Sequence, residues 1–478
     1  MPHQYFNSKL FVFLFALTLT ACVIRKYPGP GVAVQGSLYR DTLRVSNPAA
    51  FDKDTSSMAS LPYSTLFADT LLQQLIAEGI GQNLDLKIAM ERLAQARASF
   101  RQSKAAFFPD LSGNANATRT KQSIAALNLP PDIIGTFPLT TMNYQLNLST
   151  SWEADIWGKL KSAKRSALAG MLKTEAAVRV AQTQLIADIA GFYFQLLSLD
   201  EQLNITEQTL ANRIADVKTM SVLKENAVVT GAAVVQSEAN RYAAEVLIPD
   251  LKRSIRETEN ALSILLARPA GSIKRSSLQD QVPYLDLQVG VSTLLLRNRP
   301  DIQRAELAFR EAFENTNVAR TYFYPQLTIT AQGGLSTLQI KNLFDMSVFY
   351  NVVAGLAQPI FNKGLNKSRL RIAEAQQRES YYNYQQTLLI AGEEVSNALY
   401  AYQTSLEKQN SRTSQIQSLT KAVSFTKQLL EYSSATNYTD VLTSEQALLA
   451  ARLESVNDKL QQFQAIVELY RSLGGGWQ

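Results

Sequence analysis

Gly158–Lys224, which begins GKLKSAKRSALAGMLKTEAAVRVAQTQLIADIA, decides the fold, and the chain runs on from it without a proline as far as Pro249. Apolar residues recur at Leu185, Ile189, Phe192, Leu196, Leu199, Leu203, Leu210, Ile214 and Val217. The steps are fours and threes, or their sum, which draws one seam down a helix. At 1.5 Å per residue such a helix is roughly 100 Å long, about three times the diameter of a small domain. It needs a long partner. The chain supplies one: no proline follows Pro359, and Asn362 to about Leu430 reads as a second very long helix with a seam at Val395, Leu399, Tyr402 and Leu406.

The totals narrow the classes of function. The 478 residues are 46% hydrophobic, enough for a core, and 18% charged, low for a helix-rich soluble chain. The net charge of +6 is spread along the helices without a dense Lys/Arg tract, which reads as solvated surface and not as a nucleic-acid footprint. The single histidine is His3 and the single cysteine is Cys22. A chain without its leader would have no imidazole and no disulfide. That excludes His-assisted nucleophiles and His-containing zinc sites. Carboxylate chemistry stays open, but no acidic pair or glycine-rich phosphate loop stands out. The reading is a non-enzyme with no cofactor and no metal.

Lys9 precedes an apolar run, Leu10–Leu19, too short to anchor across a bilayer. The run ends in Leu19-Thr20-Ala21-Cys22, which resembles the bacterial lipobox. That resemblance implies a signal peptide over 1–21, cleavage before Cys22 and acylation of its sulfur and amine. The alternative is an ordinary signal peptide with a chance cysteine. Each buried methylene of an acyl chain adds about 0.8 kcal/mol of membrane affinity. Val23, not Asp, follows the cysteine, and the sorting rule then implies the outer membrane. Residues 22–63 form the lipidated tether, which reads as extended over 23–60, with Pro28, Gly29, Pro30, Gly31 and Gly36 near its start.

The rest of the chain is written twice, 64–283 and 284–478. NLDLKIAMERLAQARASFRQSKAAFFPDLSGNA in the first copy answers NRPDIQRAELAFREAFENTNVARTYFYPQLTITA in the second. Asp85 matches Asp301, Ala89 matches Ala305, Phe107 matches Phe323 and Leu111 matches Leu327, at the offset of Pro109 and Pro325, 325 − 109 = 216. DIWGK at 155–159 matches PIFNK at 359–363, with 359 − 155 = 204. Ser237-Glu238 matches Ser444-Glu445, with 444 − 237 = 207. Constant order with drifting offsets is what duplication and loop trimming leave.

Each copy has one grammar: a helix (about Leu84–Ala106; Pro300–Thr321), a proline, two alternating segments (hairpins 109–152 and 325–359), the very long helix, a tip and a return helix (about Ala232–Ala267; Val441–Leu473). Tyr144, Leu146, Leu148, Thr150 and Trp152 alternate with Gln145, Asn147, Ser149 and Ser151. Leu111 to Thr118 and Leu327 to Gln332 alternate similarly, and Val348 to Leu356 is apolar on nearly both faces. Period two is the mark of a strand crossing an outer membrane, apolar outward and polar inward. A soluble two-hairpin sheet is the alternative. Four strands cannot close a barrel, because the smallest has eight. An open sheet in lipid would leave edge N–H and C=O groups unpaired, each costing several kcal/mol. Several copies must therefore share one barrel. Two would give eight strands with a filled lumen, and three would give twelve and a bore.

These residues together resemble the outer-membrane factor family, the TolC-like outer membrane efflux proteins, in the lipoprotein branch that serves RND-type drug efflux systems. The likeness rests on the lipobox, FADTLLQQLIAEGIGQNLDLKIAMERLAQAR, FFPDLS, WEADIWGK, LRNRPDIQRAE, YFYPQLTIT, PIFNKG and NYTDVLTSEQALLAA, and covers about Leu66 to Leu473. It implies a mainly α chain with a small antiparallel β part. It further implies a homotrimeric channel-tunnel, with four strands per protomer completing a twelve-stranded transmembrane β-barrel on a long periplasmic α-helical barrel.

The implied partners are a periplasmic adaptor, an inner-membrane RND-type transporter and outer-membrane lipid. The implied work is passive conduction of drugs or other small compounds. The alternatives are a duct for an ABC-type protein secretion system and a structural periplasmic coiled-coil lipoprotein. By the same resemblance a periplasmic gate falls on Asp440, Thr443 and Thr439. A second acid of the family pattern is replaced by Thr443, so one carboxylate ring is expected. For Asp440 the other reading is a charge placed on the helix dipole. The second tip, Ser433-Ser434-Ala435-Thr436, lacks the usual glycine, while the first keeps Gly231; Tyr432 and Tyr438 flank the second. Gly158 and Gly364 mark where strand passes into helix, after Trp157 and Phe361. Pro109 and Pro325 mark where helix must stop and strand begin.

Overall fold

The structure is a computed structural model, and it describes residues 24–31, 58–127, 138–284, 298–432 and 438–477. Cys22, the leader 1–21, most of the tether and the tip residues 433–437 lie outside the described residues.

Two helices, α1 (Thr70–Gln82) and α2 (Leu84–Ala105), are separated only by Asn83. Asp69 caps α1 by accepting the Leu71 N–H at 2.9 Å. After Pro109 comes β1 (Ser112–Lys121), then β2 (Thr140–Ala154) and the 67-residue α3 (Lys159–Glu225). The return helix α4 (Gly231–Leu265) carries Pro249 inside it. The second copy repeats the order with α5 (Pro300–Thr321), β3 (Gln326–Thr337), β4 (Val348–Ala357), the 68-residue α6 (Leu365–Tyr432) and α7 (Tyr438–Ser472). Pro300 opens α5 at the position where a missing N–H costs no helical bond.

The strands form one antiparallel sheet in the order β1-β2-β3-β4, so the two copies meet at β2 and β3. β2 and β3 are 15 and 12 residues long, and both run beyond the stretches in which the alternation was evident. The register aligns Ser112, Ser149, Gln332 and Asn351 across the sheet, with Asn114 and Asn147 beside Gly334 in the next row of that face. The opposite face carries Leu146, Leu148, Trp152, Tyr350, Val352 and Leu356, all exposed. A Cβ at Gly334 would meet the Leu146 carbonyl oxygen at 2.1 Å, so only glycine fits where β2 and β3 approach.

Two compact units divide the chain, and neither is one of the repeats. Among the described residues the first holds 24–31, 94–127, 138–172 and 306–382, and the second holds 58–93, 173–284, 298–305, 383–432 and 438–477. The first is held by the sheet and by Phe309 and Phe313, which pack on the Tyr27 ring at 5.7 and 5.6 Å. The second has a core of Leu72, Ile76, Ile189, Leu196, Leu262 and Leu399, with Phe194 stacked on Phe463 at 4.5 Å.

The seam drawn along α3 holds at Leu185, Ile189 and Leu196 and fails towards the tip, where Ile214 is 52% exposed. There the buried positions are Thr206, Arg213 and Met220, one every seven residues. A straight α-helix drifts about 20° per heptad, so a seam set by one neighbour does not stay aligned with the next. Leu406 is likewise half-exposed while Ser405 is buried. The tether expectation changes as well. Within the first unit Ile24 rests on Gly158 and the Arg25 carbonyl accepts from Asn317 Nδ2 at 3.0 Å. In the second, Met58 and Ala59 are buried.

Candidate functional site

The sequence points to three places: the polar face of the sheet, the strand-to-helix junctions and the tip. On the sheet the polar face is uncharged from Ser112 to Thr120, from Thr141 to Ser151 and from Thr328 to Ser336. Its one acid, Glu153, pairs with Lys159 at 3.0 Å. Such a surface hydrogen-bonds to many solutes and selects few by charge.

At the first junction Gly158 has φ +72°, a left-handed turn that glycine makes without strain. Asp155 then caps α3, accepting from Leu160 N at 2.8 Å and Lys161 N at 2.9 Å. The Trp157 indole N–H donates to the Pro325 carbonyl at 2.6 Å, and its ring stacks on Tyr324 at 5.2 Å. Trp152 donates to the Phe107 carbonyl, two residues before Pro109, at 2.9 Å. Gly364, φ +79°, turns the second junction after Lys363, φ +55°. Here Asn366 Nδ2 reaches back to the Tyr322 carbonyl at 2.7 Å.

The tip lies in the second unit. α3 ends with Ala227 left-handed at φ +57°; its N–H donates to the Lys224 carbonyl and that of Val228 to the Leu223 carbonyl, each at 2.9 Å. This is a Schellman closure made with alanine. Gly231 is not left-handed; it is the first residue of α4, after Thr230. Tyr438 opens α7, 8% exposed, in a cluster with Met220, Val441 and Leu442. Because 438, 441 and 442 share the inward face, Thr439, Asp440 and Thr443 stand on the outward face, all exposed. Asp440 occupies the first turn, where the helix dipole favours its charge. Thr443 Oγ1 donates to the Thr439 carbonyl at 2.8 Å. Tyr432 is 80% exposed and outside the cluster.

Behind this face lies a group of charges that the sequence did not bring forward. Lys427 on α6 pairs with Asp216 on α3 at 2.9 Å and with Glu445 on α7 at 2.6 Å. Burial holds the Glu445 carboxyl above its ordinary range; Lys427 offsets this in part and the Asp216 charge adds to it. Burial works against the Lys427 ammonium, but the two acids outweigh it and hold its pKa up. The Arg213 guanidinium donates to the Asn240 carbonyl at 2.6 Å and is lowered by burial. The available signal was a charge at seven-residue spacing, Thr206-Arg213-Met220, which an apolar seam search passes over.

The sequence matches the family described as Outer membrane efflux protein over residues 75–268 and 291–475. It is 28% identical over 481 residues to the cation efflux system protein CusC of Escherichia coli O157:H7, covering 98% of this chain and 99% of that protein. It is 31% identical over 426 residues to the solvent efflux pump outer membrane protein SrpC of Pseudomonas putida, covering 86% of each. Among solved structures, the outer-membrane channel OprN superposes with a TM-score of 0.84 at 24% identity, covering 95% of this chain and 99% of that one, a likeness of fold.

Proposed function

We propose a function from one premise: the chain belongs to the outer membrane efflux protein family, whose members are outer-membrane channels of tripartite efflux systems. On this reading three copies assemble, each giving four strands to a twelve-stranded barrel. The assembly is an exit duct that passively conducts small compounds, drugs among them. A periplasmic adaptor and an inner-membrane RND-type transporter deliver the cargo. Cys22 carries the acyl anchor. Three Asp440 carboxylates ring the periplasmic entrance, with Thr439 and Thr443 beside them, and a single ring gives a mild preference for cations.

The observation that carries this is the sheet. Among the described residues its outer strands β1 and β4 each have an edge without a strand partner, and one of its faces is apolar and exposed. In hydrocarbon every unpaired edge group costs several kcal/mol, and closure with further copies removes that cost. One open sheet per chain supports a shared barrel better than a scaffold. The experiment is native mass spectrometry of the detergent-solubilised full chain, with single-channel recording in planar bilayers. A particle of about three chain masses with discrete conductance steps is expected. A stable monomer that conducts nothing sinks the reading.

A further inference from the structure

One group of side chains in the second unit is left without a task by the channel reading. Three helix faces converge on a cavity of about 250 Å³: Arg213 from α3, Thr420, Ser424 and Lys427 from α6, and Glu445 and Arg452 from α7. The spacings 420, 424, 427 and 445, 452 are those of single helix faces, so the convergence is built into the register of the bundle. Arg213 is 5% exposed, and its Nε–H, buried, has no acceptor among the described residues. A desolvated guanidinium with an unfilled donor is costly to keep, and it is the kind of group an anion satisfies.

The charges around the cavity sort in one direction. Asp216 and Glu445 both contact Lys427. Neither Arg213 nor Arg452 stands in an ion pair among the described residues. Among the residues that line the cavity, three cations, Arg213, Lys427 and Arg452, therefore face one acid, Glu445, which Lys427 engages. Ser424 at the exposed mouth adds a hydroxyl with no partner among the described residues. We propose that this cavity binds a small oxyanion, a phosphate or a carboxylate, between the Arg213 and Arg452 guanidinium groups. Bound there, the anion would tie α3 and α7 together within a few turns of Asp440. The site lies inside one chain, so it goes beyond the channel reading and does not depend on it.

The test is isothermal titration of the full-length, detergent-solubilised protein with inorganic phosphate, and separately with acetate, at constant ionic strength set by chloride. Saturable binding of at least one of the two by the wild type is expected. Arg452→Gln should weaken it at least about tenfold, because one charge-assisted hydrogen bond is lost. Arg253→Gln, on the exposed side of α4, should leave it unchanged. Arg213→Gln removes a buried group and can fail to fold, so Arg452→Gln is the deciding variant. No saturable binding by the wild type overturns the proposal, and so does equal binding by Arg452→Gln. Conductance plays no part in either outcome, so failure here leaves the duct reading standing.

Discussion

At the first strand-to-helix junction Asp155 caps α3, Lys159 pairs with Glu153, and Trp157 reaches across the repeat to the Pro325 carbonyl. At the second, written with the corresponding motif, Ile360 is fully exposed, Phe361 is 84% exposed, and a Cβ at Gly364 would meet nothing within 4 Å. Both turns use a left-handed glycine, at φ +72° and +79°. The two turns thus share a backbone conformation and differ in their surroundings. The first copy's junction is tied into its own chain. The second leaves its aromatic residue beside β4, an outer strand of the sheet, where the proposed assembly would put another copy.

Five substitutions test that contrast. Gly158→Val should destabilise the chain by about 2–3 kcal/mol, since a left-handed β-branched residue costs roughly 1–2 and Ile24 must also move. Gly364→Val has only the backbone cost, about 1–2 kcal/mol. Thermal melting in detergent compares the two, and equal losses would show that the Ile24 contact contributes nothing. Asp155→Ala should cost about 1 kcal/mol, the usual value of an N-cap. Hydrogen exchange should then quicken at Leu160 and Lys161; unchanged protection there would remove the cap from the account.

Smaller again is Trp157→Phe, which keeps an aromatic ring but deletes the bond to Pro325, a loss of about 0.5–1.5 kcal/mol. The variant should melt slightly lower than wild type, and a melting point at or above wild type would demote the tie from Trp157 to Pro325. Phe361→Ser should change the single chain by less than about 0.5 kcal/mol, as exposed sites do. If β4 meets another copy, the same variant lowers the fraction of trimer seen by native mass spectrometry. A wild-type trimer fraction would leave the second junction without an assembly role.

Much of this arrangement is legible along the chain. Pro300–Thr321 is a helix with the bounds read from sequence, and the long helices begin within three residues of expectation. Proline, glycine and period-two alternation are local signals, and Pro109, Pro325, Gly158 and Gly364 stand between a helix and a strand. Less legible was the tip. Gly231 invited a turn, yet the left-handed residue is Ala227, four positions earlier, because the closing hydrogen bonds are set by where α3 ends. Ile214 looked like seam and is exposed, whereas Arg213 beside it is buried against Asn240.

By itself, then, the sequence determined the succession of very long helices and short strands, and a sheet with one apolar face. Those properties follow from periodicity and from backbone preferences that act over a few residues. Only the tertiary structure decided that the copies join at β2 and β3, that Ile24 lies on Gly158, and which charges gather behind Asp440. These depend on contacts between residues far apart in the chain. There a cation and an apolar group compete for one position, and the neighbour across the interface settles which of them is buried.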